Sequence, residues 1–141
     1  PFLDNFHGPV MAPGLAGDLA HISRAPRLHT RPHRQAWAEW ARHADVQIGE
    51  AAEHREYEHL FYMLEAAVAG LGVGVSPWIY VAGDIASGRL AAPFGFVRSP
   101  ARFHFVAPQT SPRPVVSAFR DWLIEEARTA PLPPSLVAEP A

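Results

Sequence analysis

The sequence predicts an α/β fold, and three observations carry that prediction. Short apolar, strand-like runs alternate along the chain with segments of helical periodicity. Serine, aspartate, proline and glycine stand where such helices would begin and end. Hydrophobic residues make up 48% of the 141 and charged residues 18%, a composition that supports one domain with a real core.

The elements follow in order. "NFHGPVMAPGLAG" predicts a strand over Phe6–Ala12 closed by a turn at Pro13–Gly14. "GDLAHI" predicts a short helix capped by Asp18, whose carboxylate can accept from a first-turn N–H. "RLHT" (27–30) is strand-like, and Pro32 opens a new element. Over residues 33–44, Trp37, Trp40, Ala41 and Ala44 share one helical stripe. The polar stretch "DVQIGEAAEHREYEH" that follows holds a strand or extended loop. Residues 59–69 predict the strongest helix, with Phe61, Leu64, Val68 and Leu71 on its inner face, and "VGV" (73–75) a buried strand.

Ser76–Pro77 has the form of an N-cap followed by proline at the first helical position, with Gly88 placed to end that helix. "LAAPF" (90–94) and "RFHFVAP" (102–108) are strand-like, the second alternating at Arg102, His104 and Val106. Ser111–Pro112 begins a last helix with Val116, Phe119, Leu123 and Ala127 facing inward. The expected organisation is residues 1–130 as the folded part and 131–141 as a proline-rich, flexible tail.

Gly70, Gly72 and Gly74 are spaced G-x-G-x-G but stand in the wrong order for a phosphate loop. A dinucleotide fingerprint follows a strand and opens a helix, so that helix N–H groups face the phosphate. Here a helix ends and a strand begins. The glycines therefore read as a helix stop and as sites of close backbone approach. "GVSPW" is not a nucleophile elbow either, because Pro77 stands where the motif needs another residue and then glycine.

A net charge of −2 leaves no basic face to track nucleic acid. All twelve cationic residues are arginine, and cysteine is absent, which removes disulfides, thiol catalysis and thiolate metal sites. No apolar run reaches the roughly 18 residues that suggest a membrane span. His54 and His59 lie near Glu50, Glu53 and Glu58, but no established ligand spacing joins them, so a solvated charged segment is the expectation and no metal or cofactor is assigned. Asp121, Glu125 and Glu126 read as the wet side of the last helix, and Trp37 and Trp40 as core or a subunit contact.

"FYMLEAAVAGLGVGVSPWIYVAGDIASGRLAAPF" resembles the late effector-domain segment of LysR-type transcriptional regulators, including the phrase built on Asp84, Ile85, Gly88, Arg89, Leu90 and Ala91. "LHTRPHRQAWAEWARHADV" is similar to the family's strand leading to a helix with two tryptophans, and "FHFVAPQTSPRPVVSAFRDWLIEEA" to its last strand and C-terminal helix. The resemblance covers roughly residues 6–127. It implies a lobe like those of type 2 periplasmic binding proteins, with a mixed sheet flanked by helices. It also implies that this is the second lobe plus the closing elements, since the winged helix-turn-helix, linker helix and most of the first lobe have no counterpart here.

Ligands of such sheets dock beyond strand carboxyl ends and at helix N-termini. His29, Thr30 and Arg31 meet that description. The resemblance puts Thr30 toward the cleft, where Arg31 could clamp a carboxylate; as a cap and a solvated arginine they would do neither. Tyr57, His59 and Phe61 open the central helix and match a segment that contributes cleft contacts, although Phe61 also fits the core. Ser76 is a candidate as a cap that faces ligand, and His104 as a residue that reaches the cleft or alternates outward.

The function expected is a cytoplasmic, non-enzymatic sensor. A small anionic or amphipathic effector would bind between lobes and shift DNA occupancy by the absent N-terminal domain. The resemblance implies homodimers that assemble to tetramers in the full-length protein. A solute-binding protein linked to transport is the alternative from another class. An enzyme is poorly supported, because no nucleophile or acid–base pair has a recognisable setting.

Overall fold

In the computed structural model, which describes residues 1–15, 17–108 and 113–134, five strands form one mixed sheet. They are β1 (Leu3–Val10), β2 (Arg27–Thr30), β3 (His54–Tyr57), β4 (Val73–Pro77) and β5 (Val97–Phe103), in the order β3-β2-β4-β1-β5. β2 runs parallel to both β3 and β4, whereas β1 is antiparallel to β4 and β5. The helices are α1 (Leu19–Arg24), α2 (Ala36–Ala44), α3 (Leu60–Val68), α4 (Ala82–Ala86) and α5 (Pro114–Thr129).

Apolar residues are buried on both faces of the sheet. On one, Met11, Val73, Val75 and Val97 pack with Ile22 of α1 and with Trp37 and Trp40 of α2. On the other, Val10 and Leu28 pack with Met63, Leu64, Ala66 and Ala67 of α3, and with Val81 and Phe96. Both tryptophans are therefore core. They meet edge to face at 6.0 Å, and the Trp37 indole N–H donates to the Leu28 carbonyl at 3.1 Å.

Several elements form for the local reasons given above. The Asp18 carboxylate accepts from the His21 N–H at 2.7 Å and starts α1. Gly70, at φ +77, closes α3, with the Leu71 N–H returning to the Ala66 carbonyl. Gly88, also at φ +77, does the same for α4, with Arg89 N–H on the Asp84 carbonyl. At Gly72 an added Cβ would overlap the Pro26 carbonyl oxygen and lie 2.9 Å from Leu28 Cδ2. At Gly74 it would overlap the Met63 sulfur. The three glycines shape backbone.

Other elements differ from expectation. Ser76 and Pro77 complete β4 instead of capping a helix; a 3-10 turn at Trp78–Tyr80 intervenes and α4 begins at Ala82. A serine followed by proline serves the end of a strand as well as the start of a helix, and here Ser76 is wholly buried. α3 buries Met63, Leu64, Ala66 and Ala67, while Phe61 is 68% exposed and Leu71 44%. Its sequence is apolar nearly all round, so periodicity selects no face; the face that packs on the sheet carries Met63, whose sulfur lies over Gly74, together with the two alanines.

α2 starts at Ala36, after a 3-10 turn at Arg31–His33. "LAAPF" makes only the bridge between Ala91 and Met11. β5 begins earlier and stops at Phe103, opposite Leu3 at the start of β1, which leaves His104 exposed beyond it. Ser111 and Pro112 lie outside the described residues. α5 keeps Val116, Leu123 and Ala127 half-buried, but Phe119 is exposed. The Trp78 indole donates to the Pro131 carbonyl at 2.8 Å, so the first tail residues lie on the domain; residues 135–141 are outside the described set.

Gly72→Val should lower unfolding free energy by about 2–3 kcal/mol, because neither the Pro26 backbone nor Leu28 can yield cheaply. Gly14→Ala, where nothing lies within 4 Å, should stay within about 0.5 kcal/mol. Urea unfolding of the two variants checks both.

Candidate functional site

Because β2, β3 and β4 are parallel, their carboxyl ends fall at one edge of the sheet. Thr30 pairs directly with Tyr57, and continuing the register that joins Leu28 to Gly74 brings Thr30 level with Ser76. Strand alternation puts all three side chains on the α3 face, the face of Leu28 and Gly74. α3 starts immediately above them, and its N-cap residue His59 makes no side-chain capping bond. Thr30 and Ser76 are buried, at 7% and 0% exposure, and the Ser76 hydroxyl has the Pro77 carbonyl as its partner at 3.1 Å.

Charge at this edge is paired. The Arg31 guanidinium lies 3.2 Å from Glu56 and 2.6 Å from Glu58, and Arg34 lies 2.9 Å from Glu56. Hydrogen bonding from Arg34, supported by Arg31, holds the Glu56 carboxyl below the usual carboxylate range. Arg31 thus stands where it can meet an anion, but two carboxylates already share it.

The strand register brings Thr30, Tyr57 and Ser76 level, with Arg31 one residue beyond Thr30 and His59 capping α3 two residues beyond Tyr57. It separates His29, which alternation sends to the α2 face beside Arg27, and His104, exposed past the end of β5. Phe61 lies in a shallow groove with His59, Leu60, Glu65, Tyr80 and Asp84, next to the edge. Sequence reasoning named Glu58 only in weighing a metal site, and it did not single out Glu56 and Arg34 as partners of Arg31 or of one another. Their role depends on cross-strand register, although the charge density of "EHREYEH" marked the segment.

A more enclosed apolar cavity of about 310 Å³ lies between the start of β1, the turn at Trp78 and the end of α5. Phe2, Phe6, Ile79, Phe103 and Leu132 line it. Its one charged side chain, Asp4, is taken by Arg98 and Arg102 at 2.6 and 2.9 Å, so it offers little to recognise a polar ligand. Among the described residues no three His, Asp or Glu side chains are gathered to hold a metal ion, and no helix is long and apolar enough to cross a membrane.

The comparisons with known proteins bear on the family and the fold. The LysR substrate binding domain family matches residues 1–128. The chain belongs to that family. This LysR domain is 42% identical over 130 residues to the transcriptional regulator TrpI of Pseudomonas aeruginosa, covering 84% of this chain and 43% of the relative. It is 35% identical over 120 residues to the transcriptional activator AmpR of Rhodobacter capsulatus, covering 82% and 40%. The chain thus spans less than half the length of either regulator. The effector domain of AmpR from Pseudomonas aeruginosa superposes with a TM-score of 0.75 at 21% identity, over 91% of this chain and 64% of that one. The fold is the periplasmic-binding-protein-like lobe of such domains, as the sequence resemblance implied.

Near the same edge, the ring nitrogens of buried His7 on β1 and His43 on α2 lie 3.1 Å apart. Burial first, then the charge His43 would carry, hold His7 down to about 4 from an ordinary 6.5; Glu39 opposes this and His33 adds to it. The unfolded chain therefore takes up a proton that the fold excludes. The His7 contribution to stability is fully present above pH 6.5 and is lost as pH drops toward 4, by about 2–3 kcal/mol. Urea unfolding across that range should show the slope, and His7→Gln should flatten it.

Proposed function

We propose that residues 1–130 are the second lobe and closing elements of an effector-sensing domain, with residues 131–141 as its tail. The effector is a small anionic or amphipathic metabolite bound at the carboxyl ends of β2, β3 and β4. The observation that carries this reading is the gathering of Thr30, Tyr57 and Ser76 on one face of that edge, directly below the uncapped start of α3. Free first-turn N–H groups suit an anion, the Thr30 hydroxyl can donate or accept, and Arg31 supplies a fork-shaped cation. Apposition of a first lobe would turn this edge into one wall of a crevice.

In such a sensor the effector acts only through its different affinity for two arrangements of the protein. The readout is DNA occupancy by a winged helix-turn-helix elsewhere in the polypeptide, in a cytoplasmic homo-oligomer, with no catalytic step. The names of the two regulators similar to this chain support this reading, as does its acidic balance, which leaves DNA contact to another domain.

Thr30→Val keeps side-chain shape and removes the hydroxyl, and Arg31→Gln removes the cation. In a reporter assay of the complete regulator each should raise the half-maximal effector concentration by about tenfold or more, with thermal melting close to the parent's. An unchanged response in both would overturn the assignment of this edge. In a gel shift at moderate salt the 141-residue chain should leave duplex DNA unretarded, and clear retardation would contradict the division of labour.

A further inference from the structure

The apolar cavity between the start of β1, the turn at Trp78 and the end of α5 has no part in the effector reading. It holds about 310 Å³, and its walls come from stretches far apart in the chain. One wall is fixed in place. The Trp78 ring meets Phe96 edge to face at 5.1 Å, and its indole N–H donates to the Pro131 carbonyl at 2.8 Å. At the rim Ile79 and Leu132 are exposed, apolar surface that the fold itself does not cover. One polar group of the lining is unanswered: the Asn5 side-chain oxygen is buried without a hydrogen-bond partner.

We propose that this cavity is a second binding site, which takes one uncharged, ring-sized apolar molecule carrying a single hydrogen-bond donor. Phe6, Trp78 and Phe103 would supply the apolar walls and Asn5 the polar contact.

The size fits, since an apolar cavity of about 150 Å³ is enough to admit benzene. Water is a poor occupant of such walls, because each molecule needs two to four polar partners. Aromatic rings instead present faces and edges on which another ring can stack. Charge decides the class of ligand. Among the described residues no cationic side chain lines the cavity, so a carboxylate would give up its hydration with no counter-charge. An ammonium group would find Asp4 already matched by Arg98 and Arg102. A neutral hydroxyl or N–H loses little on entry, and the Asn5 amide can answer it. That contact removes the cost of a buried oxygen left unpaired.

Because Pro131 and Leu132 belong to the wall, a bound molecule would tie the end of α5 to the start of β1. Thr30 and Tyr57 do not line this cavity, so the proposal stands or falls separately from the effector site.

The test uses benzyl alcohol, with toluene and benzoate as partners of the same size that lack the donor or carry a charge. Each is titrated into the isotope-labelled 141-residue chain and followed by amide chemical shifts. Benzyl alcohol should saturate one site per chain below millimolar concentration, moving Phe2–Phe6, Phe103 and Leu132 while Thr30 and Tyr57 stay still. Benzoate should bind there at least about tenfold more weakly. Asn5→Leu keeps the side-chain shape without the amide; it should weaken benzyl alcohol by about fivefold and leave toluene unchanged. Ala127→Leu fills part of the cavity and should remove both. No saturation by benzyl alcohol well above millimolar would overturn the proposal, as would equal binding of benzoate or an affinity that Ala127→Leu leaves intact. Unchanged benzyl alcohol affinity in Asn5→Leu would overturn the polar contact. Should Ala127→Leu fail to fold, Ala82→Leu, on the opposite wall, decides in its place.

Discussion

The parallel ladder of β2 is the constraint on which the rest of this domain depends. A four-residue strand, Arg27–Thr30, pairs with β3 on one side and β4 on the other. Parallel pairing forces each return through a crossover helix, so α2 and α3 cover opposite faces and all three strands end at one edge. The ladder also explains the glycines. β4 can lie against the Pro26–Leu28 backbone and beneath Met63 only because Gly72 and Gly74 have no Cβ. What resembles a phosphate motif on paper is the clearance needed to seat the middle of the sheet.

The same ladder decides what each side chain can do. Alternation along β2 separates His29 from Thr30, sending one to the α2 face with His54 and the other to the α3 face with Tyr57 and Ser76. Neighbours in sequence thus have different surroundings: a polar edge beneath a helix N-terminus, and a paired-imidazole surface on the α2 side. Arg31 links them, since it leaves the strand beyond Thr30 and pairs with Glu56 from the other face. Exposed pairs of this kind add little stability. They match two arginines with two carboxylates at this rim.

Much of this was legible in the sequence wherever local chemistry is decisive. Asp18 as a cap, Gly70 and Gly88 as helix stops, and Trp37 and Trp40 as a buried stripe are each determined within a few residues. The order of the glycines was enough to exclude a nucleotide loop, and the phrases around Asp84 and Gly88 resembled the family that the comparisons show. Illegible features were those that only tertiary context arbitrates. The α3 sequence is apolar on every side, so Phe61 and Leu71 looked inward until Ala66 and Ala67 proved the better fit. Ser76–Pro77 suits a helix start and a strand end alike. At the candidate edge, Thr30, Tyr57 and Ser76 were nameable from their positions at strand ends. The network of Glu56, Glu58 and Arg34 required knowledge of which residues face one another across β2 and β3.

The central claim is that the carboxyl ends of β2, β3 and β4 are where this lobe meets its effector. Amide chemical-shift mapping of the isotope-labelled chain tests it most directly, using a panel of small carboxylates and amino acids as probes. The account predicts that shifts from any binder cluster at Thr30–Arg31, Tyr57–Leu60 and Ser76–Trp78. A saturable binder whose shifts instead cluster at Phe2–Phe6, Phe103 and Leu132, with the strand ends silent, would contradict it.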